Sequence, residues 1–256
     1  MAHDSISAAI RAAKAAGRPA LVAYITAGFP TRAGFREQLA AVASAVDVVE
    51  IGVPFSDPMA DGTTIQRSSR VALEQGVSLR WILEELASFR QEASGAPLLL
   101  MSYLNPLLAF GVEKLPQAAA EAGVAGLIVP DLPYEECADM RAALAARQLA
   151  LVQFVTPVTP VQRMAKLCAG AEGFVYAVTM TGTTGKNVAV PQEVLDYFDR
   201  VRQVSPVPVC AGFGIRSREQ VERLAPHVDG VIVGSALVEA IERGEDPAAF
   251  LRTLRL

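Results

Sequence analysis

The hydrophobic positions of this chain fall into two alternating kinds of segment. Continuous apolar runs occur at Leu21–Thr26, Val46–Ile51, Pro97–Ser102, Ala125–Val129, Leu151–Thr156, Gly173–Val178, Val207–Ala211 and Gly230–Val233. They are runs rather than strict alternations of apolar and polar residues, as expected of strands buried on both faces of a parallel sheet. Between them lie amphipathic stretches. In Ser78–Arg90, for instance, Leu79, Ile82, Leu83 and Leu86 share one helical face. Thr159-Pro160-Val161-Gln162 and Ser217-Arg218-Glu219-Gln220 read as capping boxes, in which a hydroxyl and a Gln amide each satisfy a free end of the helix. Pro160 and Pro247 suit first-turn positions, and Gly123 and Gly170 suit helix stops.

Eight β–α pairs in 256 residues have the size and rhythm of a single (β/α)8 TIM barrel, with residues 1–256 as one catalytic domain. A doubly wound sheet is the competing architecture, but it uses fewer strands for this length. Ahead of the first strand, Ile6, Ile10 and Ala13 lie on one helical face, which predicts an extra N-terminal helix covering the barrel. That segment, from Met1 to Arg18, has no continuous hydrophobic stretch and does not read as a secretion signal.

Composition narrows the class. Hydrophobic residues make up 52% of the chain and charged residues 20%, which excludes disorder. The net charge of −4, without a basic cluster, argues against nucleic acid as a partner. Apolar runs such as Ala96–Met101 fall far short of the roughly 18 residues that cross a bilayer, so no membrane association is expected. Cys137, Cys168 and Cys210 are odd in number and far apart, which suits a reducing cytoplasm. His3 and His227 have no neighbouring Cys or His, so no metal site is expected, and His227 reads as a surface residue.

In such a barrel the chemistry belongs at the C-terminal ends of the strands. Glu50 interrupts the apolar run Val46–Ile51, pointing opposite to Val49 and Ile51. Desolvation there raises a carboxyl pKa and favours a group that both gives and takes a proton near neutrality. The alternative is a structural Glu paired with an arginine. A long acidic, Pro- and Gly-rich loop follows and contains Asp61, which could equally be a turn or cap residue before Thr63. After the seventh and eighth runs, Gly212-Phe213-Gly214 and Gly234-Ser235 open helices. Glycine turns at those two strands form the usual phosphate position of these barrels, with packing glycines as the alternative. Thr179–Asn187, rich in small hydroxyl residues, reads as a mobile lid or an ordinary surface loop. None of Lys14, Lys114, Lys166 and Lys186 lies in a strand, which disfavours Schiff-base chemistry.

The segment Glu50-Ile-Gly-Val-Pro-Phe-Ser-Asp-Pro-Met-Ala-Asp-Gly62 resembles the signature of the tryptophan synthase α chain family. So do Ala211-Gly-Phe-Gly-Ile215, Gly234-Ser-Ala236, Tyr103-Leu-Asn-Pro106 and Pro130-Asp-Leu-Pro133. The resemblance implies a retro-aldol lyase that cleaves indole-3-glycerol phosphate to indole and glyceraldehyde 3-phosphate in tryptophan biosynthesis. By the same resemblance, Glu50 is the acid/base group and Asp61 the carboxylate bonded to the indole N–H. Tyr176 and Thr184 support catalysis, the latter from the lid. Gly185, Gly214, Gly234 and Ser235 bind the phosphate, and Tyr24, Leu100 and Leu127 line the indole pocket, although barrel packing also explains the two leucines. Met180 stands where some members carry a basic residue, and the C-terminus is slightly short.

The resemblance further implies no cofactor in this chain, and a β-chain partner that uses pyridoxal phosphate in an α2β2 assembly. The partner face would comprise Pro54–Asp61, Asn105–Gly111 and Pro133, with Phe55, Met59, Leu107, Leu108 and Phe110 either exposed for binding or packed locally. Three other functions remain at this point. One is a lyase of the same family that needs no β chain, another is a phosphosugar isomerase on the same barrel, and the third is a non-catalytic subunit that activates a pyridoxal-phosphate enzyme.

Overall fold

Apolar runs flanked by Gly, Pro and short polar turns become strands because both of their faces can be buried. The computed structural model describes the backbone of residues 2–92, 95–179, 190–212 and 214–256. Among these the strands are β1 Ala20–Thr26, β2 Val48–Gly52, β3 Leu98–Met101, β4 Val124–Ile128, β5 Ala150–Val155, β6 Val175–Val178, β7 Val209–Gly212 and β8 Gly230–Val233. The helices begin with α1 Ala2–Ala15, α2 Phe35–Ala43, α3 Thr63–Glu74, α4 Leu79–Glu92, α5 Leu104–Phe110 and α6 Leu115–Glu121. They continue with α7 Ala138–Ala145, α8 Val161–Ala169, α9 Gln192–Val204, α10 Arg218–Leu224, α11 Ser235–Glu242 and α12 Pro247–Leu254.

Each strand pairs in parallel with the next, and β8 returns to β1, so the sheet closes as a barrel. A doubly wound sheet is therefore excluded. Alternation sorts the side chains into two cores. Leu21, Ala23, Val49, Ile51, Val231 and Val233 face the helices, in a cluster that also holds Leu39, Ile82, Leu86 and Leu237. Ala20, Val22, Val48, Leu99, Ile128, Val152, Phe174, Cys210 and Ile232 fill the interior. Ile6, Ile10 and Ala13 of α1 join this interior group, so the N-terminal helix caps one end of the barrel as its periodicity predicts. The Ser7 hydroxyl and the Lys14 ammonium donate to the carbonyls of Gly173 and Val228 respectively, which fixes the cap in place.

Most helix signals hold. Ser217 and Gln220 form the reciprocal capping box of α10, and Pro247 opens α12 behind the Asp246 cap. Gly123 takes φ +79°, a left-handed conformation that only glycine adopts without cost, directly after α6. The second capping box is not formed. Pro160 itself is the N-cap of α8 rather than a first-turn residue, and the Thr159 hydroxyl turns back to accept the Thr156 N–H at 2.9 Å. His227 is half-buried, with Nδ1 3.0 Å from the Asp199 carboxylate, rather than a free surface residue.

Candidate active site at the C-terminal ends of the strands

Glu50 lies at the centre of β2, in register with Tyr24 of β1 and Leu99 of β3. It is fully buried, and neither carboxylate oxygen has a hydrogen-bond partner among the described residues. The arginine-paired alternative is thus not realised. Burial alone pushes its pKa up to about 8, so the group carries a proton at neutral pH and can also accept one. An unpartnered carboxyl of this kind costs stability and is typical of a site whose partner is a substrate.

Two phenols flank it. Tyr24 and Tyr176 are both buried, and both have their pKa raised by desolvation and by the charges of Glu50 and Asp61. They stay protonated. Room for them comes from glycines at the strand ends: a side chain at Gly52 would overlap Tyr24, and one at Gly212 would overlap Tyr176. A Tyr24–Thr26–Ser68 hydroxyl chain, with a 2.6 Å link between Thr26 and Ser68, ties the first phenol to α3.

Asp61 arrives from the loop between β2 and α3. The Val53 N–H bonds the Met101 carbonyl at 2.8 Å, which continues the sheet into the loop, and Phe55 stacks on Tyr103 with ring centroids 5.4 Å apart. The Tyr103 hydroxyl accepts the Ala60 N–H at 2.9 Å and bonds the Asp61 carboxylate. Burial raises the Asp61 pKa, and the Tyr103 bond opposes that rise. The bland reading as a cap does not hold, since the N-cap of α3 is Gly62 and no side chain caps it. Asp57, earlier in the same loop, accepts the Ser56 hydroxyl. Tyr103 is the residue that the sequence left without a role. Its neighbour Leu104 donates its N–H to Asp131 at 2.9 Å, so the Tyr103–Pro106 and Pro130–Pro133 segments brace one another.

On the far side of the barrel mouth, β7 and β8 are neighbours. Gly234 is the N-cap of α11 and Ser235 its first residue, with no side chain occupying the cap. Gly214 has φ +82° with open space where a side chain would stand. A Cβ at Gly234 would make only ordinary contacts with Tyr24, so crowding requires glycine at neither position. Free backbone N–H groups at a helix start beside a glycine turn form an anion cradle. A proton-bearing carboxyl, a second carboxylate and these glycine turns therefore share one end of the barrel.

The family profile described as tryptophan synthase alpha chain matches residues 10–254. The tryptophan synthase alpha chain of Nitratidesulfovibrio vulgaris is 47% identical over 253 residues, 98% of each chain. That of Solidesulfovibrio magneticus is 42% identical over 256 residues, the whole of both. The chain belongs to the tryptophan synthase alpha chain family. Among solved structures, Mycobacterium tuberculosis tryptophan synthase superposes with a TM-score of 0.89 at 35% identity, covering 97% of this chain and 96% of that one. The alpha chain of Legionella pneumophila superposes with a TM-score of 0.87 at 31% identity, covering 98% and 95%. The reaction of the alpha chain family is a lyase reaction, the cleavage of indole-3-glycerol phosphate.

Against that reaction, two of the predicted positions need correction. Leu100 and Leu127 belong to the outer core between strands and helices, because neighbouring residues of a strand point to opposite faces. The inward positions next to them are Met101 and Ile128. Of the residues that could be exposed for a partner or packed locally, Met59 and Leu108 are exposed, Phe55 and Phe110 are half-buried, and Leu107 is fully buried, which is the packed alternative. Thr184, Gly185, Met180 and Lys186 lie outside the described residues.

Proposed function

We propose that this chain cleaves indole-3-glycerol phosphate with Glu50 as acid and base and Asp61 as the anchor of the indole N–H. The observation that carries this is the fully buried, unpartnered Glu50 carboxyl at the barrel mouth that also holds Asp61 and the glycine turns. Glu50 donates its proton to C3 of the indole ring, giving a cationic indolenine. Asp61 holds the ring N–H and stabilises the positive charge that spreads onto that nitrogen. The glycerol hydroxyl next to the ring then loses its proton to the Glu50 carboxylate. Its oxygen becomes the aldehyde carbonyl, the C3–carbon bond breaks, and its electron pair flows into the indolenine to restore indole. Glu50 ends protonated again with the hydroxyl proton, its original proton stays on C3 of the released indole, and glyceraldehyde 3-phosphate leaves from the cradle.

In this reading the indole itself is the electron sink, and the residues supply only proton transfer and charge. Tyr24 and Tyr176 bound the ring as protonated phenols, with Met101 and Ile128 contributing apolar surface. Gly214, Gly234 and Ser235 hold the phosphate through backbone N–H groups, with Gly185 and the lid residue Thr184 completing the enclosure. Exposed Met59 and Leu108, flanking the site, support a face for a β chain that joins indole to serine with pyridoxal phosphate, in an α2β2 assembly in the cytoplasm. Indole release by the purified chain, measured with and without a β chain, tests the reading. Slow release that a β chain accelerates is the expected result. Fast release from the chain alone would make it an independent lyase, and no release in either case would overturn the substrate.

A further inference from the structure

We propose that Glu239 is a positioning residue, one that ties the loop bearing Asp61 to the phosphate cradle through a Thr64–Glu239–Arg216 bridge. It rests on the site reading above, in which Asp61 holds the indole N–H and Gly214 and Gly234 hold the phosphate.

The bridge joins the loop after β7 to α3 and α11, two helices that already pack against each other. Glu239 lies in α11, just over one turn past the Gly234–Ser235 start. One of its carboxylate oxygens, Oε1, accepts the Thr64 hydroxyl at 3.0 Å. The Arg216 guanidinium grips both oxygens, at 2.7 and 2.9 Å, in the two-bond fork that fixes orientation as well as distance. Thr64 is the second residue of α3, and Asp61 is bound to the same helix start, since the Gln66 amide donates to the Asp61 carbonyl at 2.8 Å. Arg216 stands two residues beyond Gly214 and is itself braced by Gln220, which accepts its N–H at 2.7 Å. A rigid path thus runs from Asp61 through α3 to Glu239, and from there to both halves of the cradle.

The charges are firmly set. The bonds from Arg216 draw the Glu239 pKa down to about 2, so it is ionised throughout the working range. Glu239 also neutralises Arg216, the cation two residues beyond Gly214. It therefore has two effects with opposite signs. It holds Asp61 in place, which favours turnover, and it offsets Arg216, which weakens anion attraction at the cradle. A residue that only braced the fold would not separate these effects.

The experiment compares wild type with Glu239→Gln, Thr64→Val, Thr64→Ser and Arg67→Gln, reading kcat, KM for indole-3-glycerol phosphate, inhibition by inorganic phosphate, and the melting temperature. Glu239→Gln should lower kcat by about tenfold, within the range that an ångström of misplacement costs. It should also bind inorganic phosphate about twofold to threefold more tightly at low salt, with the gain shrinking as salt rises. Thr64→Val should lower kcat with phosphate affinity unchanged, and Thr64→Ser, which keeps the hydroxyl, should restore it. Arg67 pairs with Glu242 farther along the same helices in an exposed bridge, so Arg67→Gln should stay within about twofold of wild type. Unchanged kcat in Glu239→Gln, or no recovery in Thr64→Ser, overturns the proposal. So does an equal loss in Arg67→Gln, which would assign the effect to general α3–α11 packing. Should Glu239→Gln fail to fold, the Thr64 pair decides alone. Asp61→Asn separates the two readings: full activity in that variant sinks the site assignment itself, whereas a dead Asp61→Asn beside a normal Glu239→Gln sinks only the bridge.

Discussion

The two ends of this barrel are built from the same strands and the same alternation, yet they differ in chemistry. At the N-terminal end Ile6 and Ile10 join Ala20, Val48, Ala150 and Phe174 in the interior group, and all of these are fully buried apolar groups. At the other end the inward positions hold Tyr24, Glu50 and Tyr176, with glycines beside the two phenols and a carboxyl that no neighbour satisfies. Two residues up the same strand separate Val48 from Glu50. Fold stability is thus supplied at one end, and part of it is given up at the other to keep a proton donor dry.

The largest expected effect breaks that comparison at its acidic end. Glu50→Gln keeps the shape and removes the transferable proton, so kcat should fall by about 100-fold to 10,000-fold. The same change should raise stability at high pH. With a folded pKa near 8 and an unfolded value near 4.5, Glu50 keeps its proton in the fold while the unfolded chain releases it. Wild-type stability should therefore decline as pH rises from about 4.5 to about 8 and level off above. Denaturant titrations across that window should show the decline in wild type and a flatter line in Glu50→Gln. Near-wild-type turnover in the variant would remove Glu50 from the mechanism.

At the apolar end, Ile10→Ala should cost about 2–5 kcal/mol of unfolding free energy, because the cap cannot collapse into the space left behind. Turnover of the folded fraction should stay near that of wild type. A kcat loss larger than the loss of folded protein would mean that the two ends are mechanically coupled, contrary to the division drawn here.

Gly52→Ala tests the border between the ends. The added methyl meets the Tyr24 ring, which is held by the Thr26 and Ser68 hydroxyls, so overpacking should cost about 1–3 kcal/mol. It should also raise KM through the displaced phenol. This glycine shows where reading the chain stops. Runs of apolar residues were enough to locate all eight strands to within about two residues and to close the barrel, because burial on both faces leaves a mark at every position. Glu50 was visible because a charge inside an apolar run is rare. Leu100 and Leu127 were misassigned because an unbroken apolar run carries no mark of which face is inward; only the register, with Leu99 and Ile128 in the interior, decides it. Gly52 and Tyr103 were passed over for a related reason. Their roles depend on a ring from a neighbouring strand and on a loop 43 residues earlier, contacts between segments that no local pattern records.

The smallest effect on stability belongs to Gly234→Ala, and it separates a packing glycine from a binding one. A Cβ there would meet Tyr24 at 3.5 Å, ordinary contact, so the fold should shift by no more than about 1 kcal/mol in either direction. The methyl would nonetheless stand at the N-cap of α11, beside the free N–H groups that a phosphate needs to approach closely. Inhibition by inorganic phosphate should therefore weaken several-fold while the melting temperature stays put. If instead the melting temperature falls and phosphate inhibition is unchanged in the folded enzyme, Gly234 serves packing. The anion cradle would then have to be built from Gly214 and the rest of the β7 turn, leaving α11 to contribute only through Glu239.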